Sequence, residues 1–246
     1  MANIIKTKGI VLKTIPFKES SLIASILTNR CGKIKVLAKG VRRPKSKICG
    51  ALEPFNLDEI IFYKRESKEI YNLSDAVVIE CFEEIRGYPK KVNAAMVLCE
   101  FFDKTLPAEE DDDHSFIFLL NFLRKLQDID ESTVRHFVFY YLLKALSGAG
   151  VRPHLEDCVR CHKTIKYDNK KIDFSIGAGG VVCDKHFDDT VVFLSNKTIS
   201  TLEQIYHDET IQIDRDSFDE IEKFITDYLY YHLNNLTLNS LKHLKR

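Results

Sequence analysis

The sequence predicts a multi-domain α+β protein in which a small all-β barrel precedes a larger helical part. Short runs of alternating apolar and polar residues fill residues 9–82, and apolar residues recur at helical spacing from residue 92 onward. Two pairs of metal-ligand residues interrupt the helical part. We therefore predict domains at residues 1–82 and 83–246, with a zinc-binding, ribbon-like insertion at about 154–190.

The first part has six runs typical of β-strands, at residues 9–15, 22–28, 33–38, 57–63, 69–73 and 76–82. Five or six strands in about 80 residues, with no convincing helix among them, favour a small closed barrel. An oligonucleotide/oligosaccharide-binding barrel (OB-fold) would place the third strand on its ligand face.

That third strand and the loop after it are strongly basic. Alternation would put its lysines on one face and its apolar residues in a core. A charged strand beside a charged loop suits a polyanion, because each cation near a phosphate releases a condensed counterion. The other interpretation is a lysine-rich edge strand that resists aggregation. The predicted DNA-binding residues are Arg30, Lys33, Lys35, Lys39, Arg42, Arg43, Lys45 and Lys47.

Aromatic residues of the same part are candidate platforms for unpaired bases, although for any single one of them a core position is the favoured interpretation. Stacking on an aromatic ring contributes roughly 1–3 kcal/mol per base. The candidates are Phe17, Phe55, Tyr63 and Tyr71.

Charge is divided unevenly along the chain. Residues 1–50 contain 12 Lys and Arg and one acid, whereas the remainder contains 24 basic and 35 acidic residues. This asymmetry indicates a basic binding module attached to a body with other duties. We find no apolar run of membrane-spanning length and no signal peptide, so we expect a cytoplasmic, nucleoid-associated protein without a membrane partner.

Helical spacing begins after Pro89. We predict helices at residues 92–106, 115–126, 132–146, 196–206 and 218–233, with the third central because it is apolar around most of its circumference. Ser195 is the expected N-cap of the fourth helix, and Asp214 or Asp216 that of the fifth. The acidic residues 109–113 are predicted to form a solvated loop.

Two ligand pairs in the insertion predict a metal centre. Cys158 and Cys161 form a C-x-x-C pair, and Cys183 and His186 follow as C-x-x-H after 21 residues. Four such donors suit a tetrahedral zinc ion, and a closed Cys₃His set favours a structural role. His162 or His154 could replace His186 as the fourth ligand.

Nucleotide and hydrolase motifs are missing from the sequence. It contains no GxxxxGK[ST], GxGxxG, GxSxG or HExxH pattern, so we expect a protein that is not an enzyme. A hydrolytic zinc with Glu156 or Asp157 as general base is the catalytic alternative.

The chain resembles the RecO family of bacterial recombination mediators over nearly its whole length. The motifs are GIVLK at 9–13, LT at 27–28, GK at 32–33, AKGVRRPKS at 38–46 and GALEPF at 50–55. Further similarity lies in the first cysteine pair, FS at 174–175, GG at 179–180, Cys183, YHL at 231–233 and LNSL at 238–241. Many zinc-bearing members have a cysteine where this chain has His186.

The resemblance implies an N-terminal OB-fold, a helical body and one structural Zn²⁺. It implies binding of single- and double-stranded DNA, annealing of complementary strands and a role in the RecF pathway. The implied partners are RecR, the acidic tail of single-strand-binding protein (SSB) and, indirectly, RecA. Tail binding needs an apolar pocket rimmed by cations, for which Arg124, Lys125 and Arg135 are available. The main rival interpretation is an adaptor whose basic patch binds an acidic protein.

Overall fold

The computed structural model describes residues 3–43, 46–48, 50–65, 68–110, 113–165, 171–207 and 213–245. The chain divides into two compact units, Met1–Val134 with Asn239–Arg246, and Arg135–Leu238. The first unit therefore contains the barrel together with several of the helices that follow it. Division into compact units is a different property from independent folding of a domain. The predicted domain boundaries therefore stay a prediction.

The first unit contains a closed five-stranded barrel with the order β1-β2-β3-β5-β4. β3 and β5 pair in parallel, and the other neighbours pair antiparallel. This is the OB-fold arrangement, and with the helices that follow it confirms the predicted fold class. The strands are β1 (Asn3–Phe17), β2 (Ser21–Thr28), β3 (Gly32–Ala38), β4 (Leu57–Lys64) and β5 (Ile70–Glu80).

Two strands differ from the prediction. β1 is 15 residues long because its first half pairs with β4 and its second half with β2. The runs predicted at 69–73 and 76–82 form the single strand β5, whose pairing with β4 shifts between Ile61 and Phe62. A β-bulge thus replaces the predicted turn, and it bends the strand without ending it.

The barrel interior holds the apolar half of each alternating run. Ile34, Val36 and Ala38 of β3 are at most 2% exposed, as their alternation with the lysines predicts. The apolar residues Ile10 and Leu12 of β1, outside that interior cluster, are also buried, and the second helix packs against this strand. The barrel is therefore partly covered on its outer surface by the first unit's own helices.

These helices are α1 (Glu83–Arg86), α2 (Pro89–Thr105) and α3 (Asp113–Asp128), joined by a 3-10 helix at Ser240–Lys245. Glu100 of α2 accepts hydrogen bonds from the backbone N–H groups of Asn239 and Ser240 and from the Ser240 hydroxyl. Burial raises the pKa of Glu100, but these bonds and that from Lys104 outweigh it and lower the pKa to about 2. The end of the chain is thus held on α2 as part of the first unit.

The second unit combines helices with a small sheet. Its antiparallel strands have the order β7-β6-β8. Ser195 and Asp214 accept hydrogen bonds from the backbone N–H groups of Thr198 and Ser217, which confirms the Ser195 cap and selects Asp214 over Asp216. The elements are α4 (Val134–Gly148), β6 (Ile172–Ser175), β7 (Gly180–Val181), β8 (Val191–Leu194), α5 (Asn196–His207) and α6 (Arg215–His232).

The helix α4 is buried on several sides, as its continuous apolar character predicts. Phe137, Val138 and Phe139 follow one another and are each at most 2% exposed. Among the helices in the described ranges, none has the length and apolar content that crossing a membrane requires.

A buried carboxyl lies where the chain enters β4. Asp58 is fully buried, and its Oδ2 accepts a 2.7 Å hydrogen bond from the Leu52 N–H group, while Oδ1 has no hydrogen-bond partner among the residues that the structure describes. Burial raises the pKa of Asp58 to about 6, against the opposing effect of the Leu52 bond. The carboxylate form is therefore disfavoured in the folded protein.

We expect Asp58→Asn to raise stability at pH 8 by about 2 kcal/mol. In the unfolded chain the carboxyl has its ordinary pKa of 3.8, and in the folded chain about 6. The wild type therefore loses free energy of unfolding as the pH rises from about 4 to about 6, and this loss persists at higher pH. Urea unfolding of wild type and variant at pH 4 and pH 8 measures this difference. Asp75→Asn, at an exposed residue of β5, is the control and should leave stability unchanged. An Asp58→Asn variant less stable than the wild type at pH 8 would contradict the argument.

Candidate nucleic-acid interface and metal centre

One end of β3 and the loop after it present a group of exposed cations. Lys35, Lys39, Arg42 and Arg43 are all exposed. Within the described part of the chain, none of these four forms an ion pair. Their charges are therefore available to an anionic ligand.

The loop that carries Arg42 and Arg43 is fixed to the barrel at both ends. Val41 and Ile48 pack against the barrel core, and the Arg42 N–H group donates to the Ser20 carbonyl oxygen at 3.0 Å. Gly40 has a φ of 69°, a backbone conformation that favours glycine, and so permits the turn out of β3. The two arginines consequently lie on an anchored loop beside the β1–β2 turn.

The β1–β2 turn places Lys18, which the sequence prediction did not include, beside the predicted stacking candidate Phe17. Phe17 is 38% exposed, and the ammonium group of Lys18 lies 5.6 Å from the centre of its ring. OB-folds bind ligands with this turn as well as with the strand face. A Phe-Lys pair between the first two predicted strands is the sequence signal that would have identified it.

Two predicted cations do not belong to this group: Arg30 lies at the far end of β3, and the ammonium group of Lys33 bonds to α2. Arg30 is at the β2–β3 turn, whereas Lys39 follows the other end of β3, and the strand's seven residues span about 20 Å. The Lys33 ammonium donates to the Asp103 carbonyl oxygen of α2, and burial lowers the pKa of Lys33. Lys47 is exposed further along the loop, and Lys45 lies outside the described residues.

The acidic residues after α2 are attached to the barrel rather than fully solvated. The Glu109 N–H group donates to the Lys33 carbonyl oxygen at 2.9 Å, and its carboxylate pairs with Lys64 at 2.9 Å and accepts from the Tyr71 hydroxyl. A Cβ at Gly32 would lie 1.9 Å from the Glu110 carbonyl oxygen. Residues 111 and 112 lie outside the described part, and Asp113 is the first residue of α3, so the predicted solvated loop is corrected at its start and at its end.

Two of the four aromatic candidates are core residues. Phe55 and Tyr71 are each 2% exposed. The Arg86 guanidinium covers the Phe55 ring at 4.3 Å, and Tyr71 stacks on Phe62 with ring centres 5.4 Å apart. Neither ring can receive a base, so among the four candidates only Phe17 and Tyr63 remain exposed.

In the second unit the four predicted metal ligands come together. The donor atoms of Cys158, Cys161, Cys183 and His186 all lie within 4.8 Å of one another. The Cys161 and Cys183 sulfurs are 3.8 Å apart, and the Cys158 sulfur is 3.6 Å from His186 Nδ1. A tetrahedral zinc ion with ordinary bond lengths separates two sulfurs by about 3.8 Å and a sulfur from a nitrogen by about 3.6 Å. The donor set therefore fits such an ion.

Backbone contacts hold the two ligand pairs in place. The Val159 N–H group donates to the Val181 carbonyl oxygen, and the Cys183 N–H group donates to the Cys158 sulfur at 3.4 Å. A Cβ at Gly180 would lie 2.9 Å from atoms of His154 and Val159, so the chains can approach only at a glycine. Glycine at position 180 therefore permits the close approach that places the second ligand pair beside the first.

The environment of Cys158 favours its thiolate. Burial raises the pKa of Cys158, but hydrogen bonds from nearby backbone N–H groups outweigh it and lower the pKa to about 6. The thiolate is the form that binds metals. His154 and His162, the alternatives for the fourth position, are grouped with Asp157 instead.

The cations considered for an acidic tail have partners. Arg124 pairs with Glu80, and the Arg135 guanidinium lies 4.0 Å from the centre of the Phe218 ring. Lys125 also has an interaction with another group. A groove of the second unit contains one arginine and two glutamates, which disfavour an acidic ligand. It is lined by Arg152, Leu155, Glu156, Glu203, Gln204, Tyr206 and His207.

Comparison with known families agrees with this architecture. The model described as "Recombination protein O N terminal" matches residues 1–82, and that described as "Recombination protein O C terminal" matches residues 88–242. The chain belongs to the RecO family. The relatives described next, which belong to this family, are named as DNA repair proteins.

Individual RecO relatives match over much or all of the chain. The "DNA repair protein RecO" of Caldicellulosiruptor saccharolyticus is 36% identical over 73% of this chain and 70% of its own. Those of Alkaliphilus metalliredigens and Caldanaerobacter subterraneus are 27% and 29% identical over 99% and 93% of each chain.

Part of the RecO motif GALEPF has a structural role here. Its Leu52 N–H group binds Asp58, and its Phe55 N–H group donates to the Val11 carbonyl oxygen at 2.7 Å. Asn56, directly after it, donates to the Gly50 carbonyl oxygen and accepts from Arg86. These contacts join the segment before β4 to β1 and α1, so this motif contributes to the barrel rather than to ligand binding.

Proposed function

We propose that this RecO-family protein is a non-catalytic, DNA-binding recombination mediator of the RecF pathway. It anneals complementary strands and, together with RecR, assists the loading of RecA onto single-stranded DNA coated by SSB. The observation that carries the DNA-binding part is a group of exposed cations that form no ion pair with any described residue, beside Phe17 and Lys18; its members are Lys35, Lys39, Arg42 and Arg43.

The chemistry of this surface suits the backbone of a single strand. Cations on an anchored loop neutralise phosphates and release condensed counterions, with no requirement for a particular base. The Phe17 ring offers a stacking surface that accepts any base. Two strands held near the same cations repel each other less, and pairing can then proceed.

The metal ion belongs to the structural part of the proposal. The four donors Cys158, Cys161, Cys183 and His186 complete a tetrahedral shell, which leaves no position for a catalytic water. We assign the site to one structural Zn²⁺ because thiolates and imidazole favour zinc over magnesium or calcium. When bound, it cross-links the two ligand pairs.

The partners RecR, RecA and SSB are proposed from family membership alone. The groove of the second unit is a poor candidate for the acidic SSB tail, because Glu156 and Glu203 line it. Binding of each partner is a separate test from binding of DNA.

Binding of a single-stranded oligonucleotide is expected to depend steeply on salt. If about five cations contact phosphates, the logarithm of the affinity falls with the logarithm of the salt concentration at a slope of about −3 to −4. Fluorescence anisotropy of a labelled oligonucleotide at several potassium chloride concentrations measures the slope.

A slope near zero, or no binding at low salt by folded and metal-loaded protein, would contradict the DNA-binding proposal. The adaptor interpretation would then be favoured. An anionic protein partner, sought with RecR and SSB at the same salt concentrations, would be the next candidate ligand of the basic loop.

A further inference from the structure

A second group of metal-ligand side chains lies outside the Cys₃His set. His154 Nε2 is 2.7 Å and His162 Nδ1 is 3.3 Å from Oδ1 of Asp157. One donor atom from each residue lies within 4.8 Å of the other two. The pairs Asp157–Cys158 and Cys161–His162 are neighbours in the chain, and each pair gives one side chain to each group.

The backbone at two of these residues is fixed by the contacts that also shape the Cys₃His centre. The His154 N–H group donates to the Gly179 carbonyl oxygen, and its carbonyl oxygen accepts from the Val181 N–H group, both at 2.9 Å. The His162 N–H group donates to the Cys158 carbonyl oxygen at 2.8 Å. The three side chains therefore meet without a rearrangement of the fold.

We propose that His154, Asp157 and His162 form a second divalent-cation site, separate from the Cys₃His centre, which takes a zinc-like transition-metal ion. Two imidazole nitrogens and one carboxylate oxygen are donors that suit Zn²⁺ or Ni²⁺ rather than Ca²⁺. Three protein ligands leave at least one coordination position to water or to an anionic ligand.

The ion in this second site is exchangeable. The His162 side chain is 74% exposed, whereas Cys158 is fully buried in the first centre. Solvent reaches an exposed ligand readily, so the second ion is lost under conditions that leave the first in place. The donors are also chemically distinguishable, because the second site lacks a thiolate.

Calorimetric titration of Ni²⁺ into the zinc-loaded full chain, made without a histidine tag, tests the proposal. We expect one further equivalent to bind. Asp157→Asn and His162→Ala should each weaken that equivalent by about tenfold or more. His114→Ala, which removes an exposed histidine of α3, is the matched control and should have no effect.

A second experiment shows whether the variants keep the first centre. Cobalt added to metal-free protein gives thiolate-to-metal absorption only at the Cys₃His centre, and this spectrum should be unchanged in Asp157→Asn and His162→Ala. The proposal would be overturned if the zinc-loaded wild type bound no Ni²⁺ in the titration. It would also be overturned if both variants bound one equivalent of Ni²⁺ as tightly as the wild type does.

Discussion

Replacing Lys39, Arg42 and Arg43 together by glutamate is expected to weaken binding of a single-stranded oligonucleotide by about 100-fold or more at low salt. Each substitution removes a phosphate contact and adds a repelling charge, so the salt dependence should become shallower as well. The three residues are exposed and form no ion pairs with other residues of the described ranges, so the fold should tolerate the change. Fluorescence anisotropy measures the affinity, and circular dichroism checks the fold.

The matched control replaces three basic residues elsewhere in the chain, Lys90, Lys223 and Lys242, by glutamate. These residues lie outside the barrel, so the net charge changes equally while the basic loop stays intact. We expect this variant to bind nearly as well as wild type. Equal weakening in both variants would show that only the overall charge matters, and undiminished binding in the first would exclude the basic loop as the interface.

Cys158→Ser is expected to remove the bound metal and to lower the melting temperature by about 10 °C or more. Cys158 is fully buried and packs with Val182 and Cys183, so a hydroxyl without its metal partner is left among apolar groups. Mass spectrometry of the native protein gives the metal content, and thermal circular dichroism gives the melting temperature.

Cys81→Ser is the control for Cys158→Ser, because Cys81 is a partly exposed cysteine of the first unit, outside the metal-ligand groups. It should retain both metal and stability. DNA binding at the barrel should persist in Cys158→Ser below its melting temperature, since the predicted interface lies in the other unit. Retention of the metal by Cys158→Ser would remove this residue from the ligand set.

Local patterns predicted those features that depend on neighbouring residues. The alternation in β3 correctly places Ile34, Val36 and Ala38 inside, because strand geometry alone determines which face each residue takes. The spacing of Cys158 and Cys161, and of Cys183 and His186, also brings two ligands together on each tight turn. The structure brings the two pairs together through the contacts of Val159 with Val181 and of Cys183 with Cys158, which the spacing alone does not specify.

Features that depend on distant contacts were not accessible in this way. Lys33 has the same alternation as Lys35, yet it packs against Asp103, 70 positions later in the chain. Phe55 and Tyr71 could not be distinguished from surface aromatics until the barrel closed around them. The separation of His154 and His162 from the Cys₃His set depends on their approach to Asp157, which sequence spacing left open.

The attachment of Asn239 and Ser240 to Glu100 has a consequence for how the protein is made. A ribosome releases the barrel and α2 long before residues 239 and 240 are made, so Glu100 gains these partners only after the whole second unit has been synthesised. In sequence, the second unit is an insertion within the first, and both of its ends continue into segments of the first unit. A nascent chain that stalls before residue 239 would contain every strand of the barrel and still lack the contact that completes the first unit.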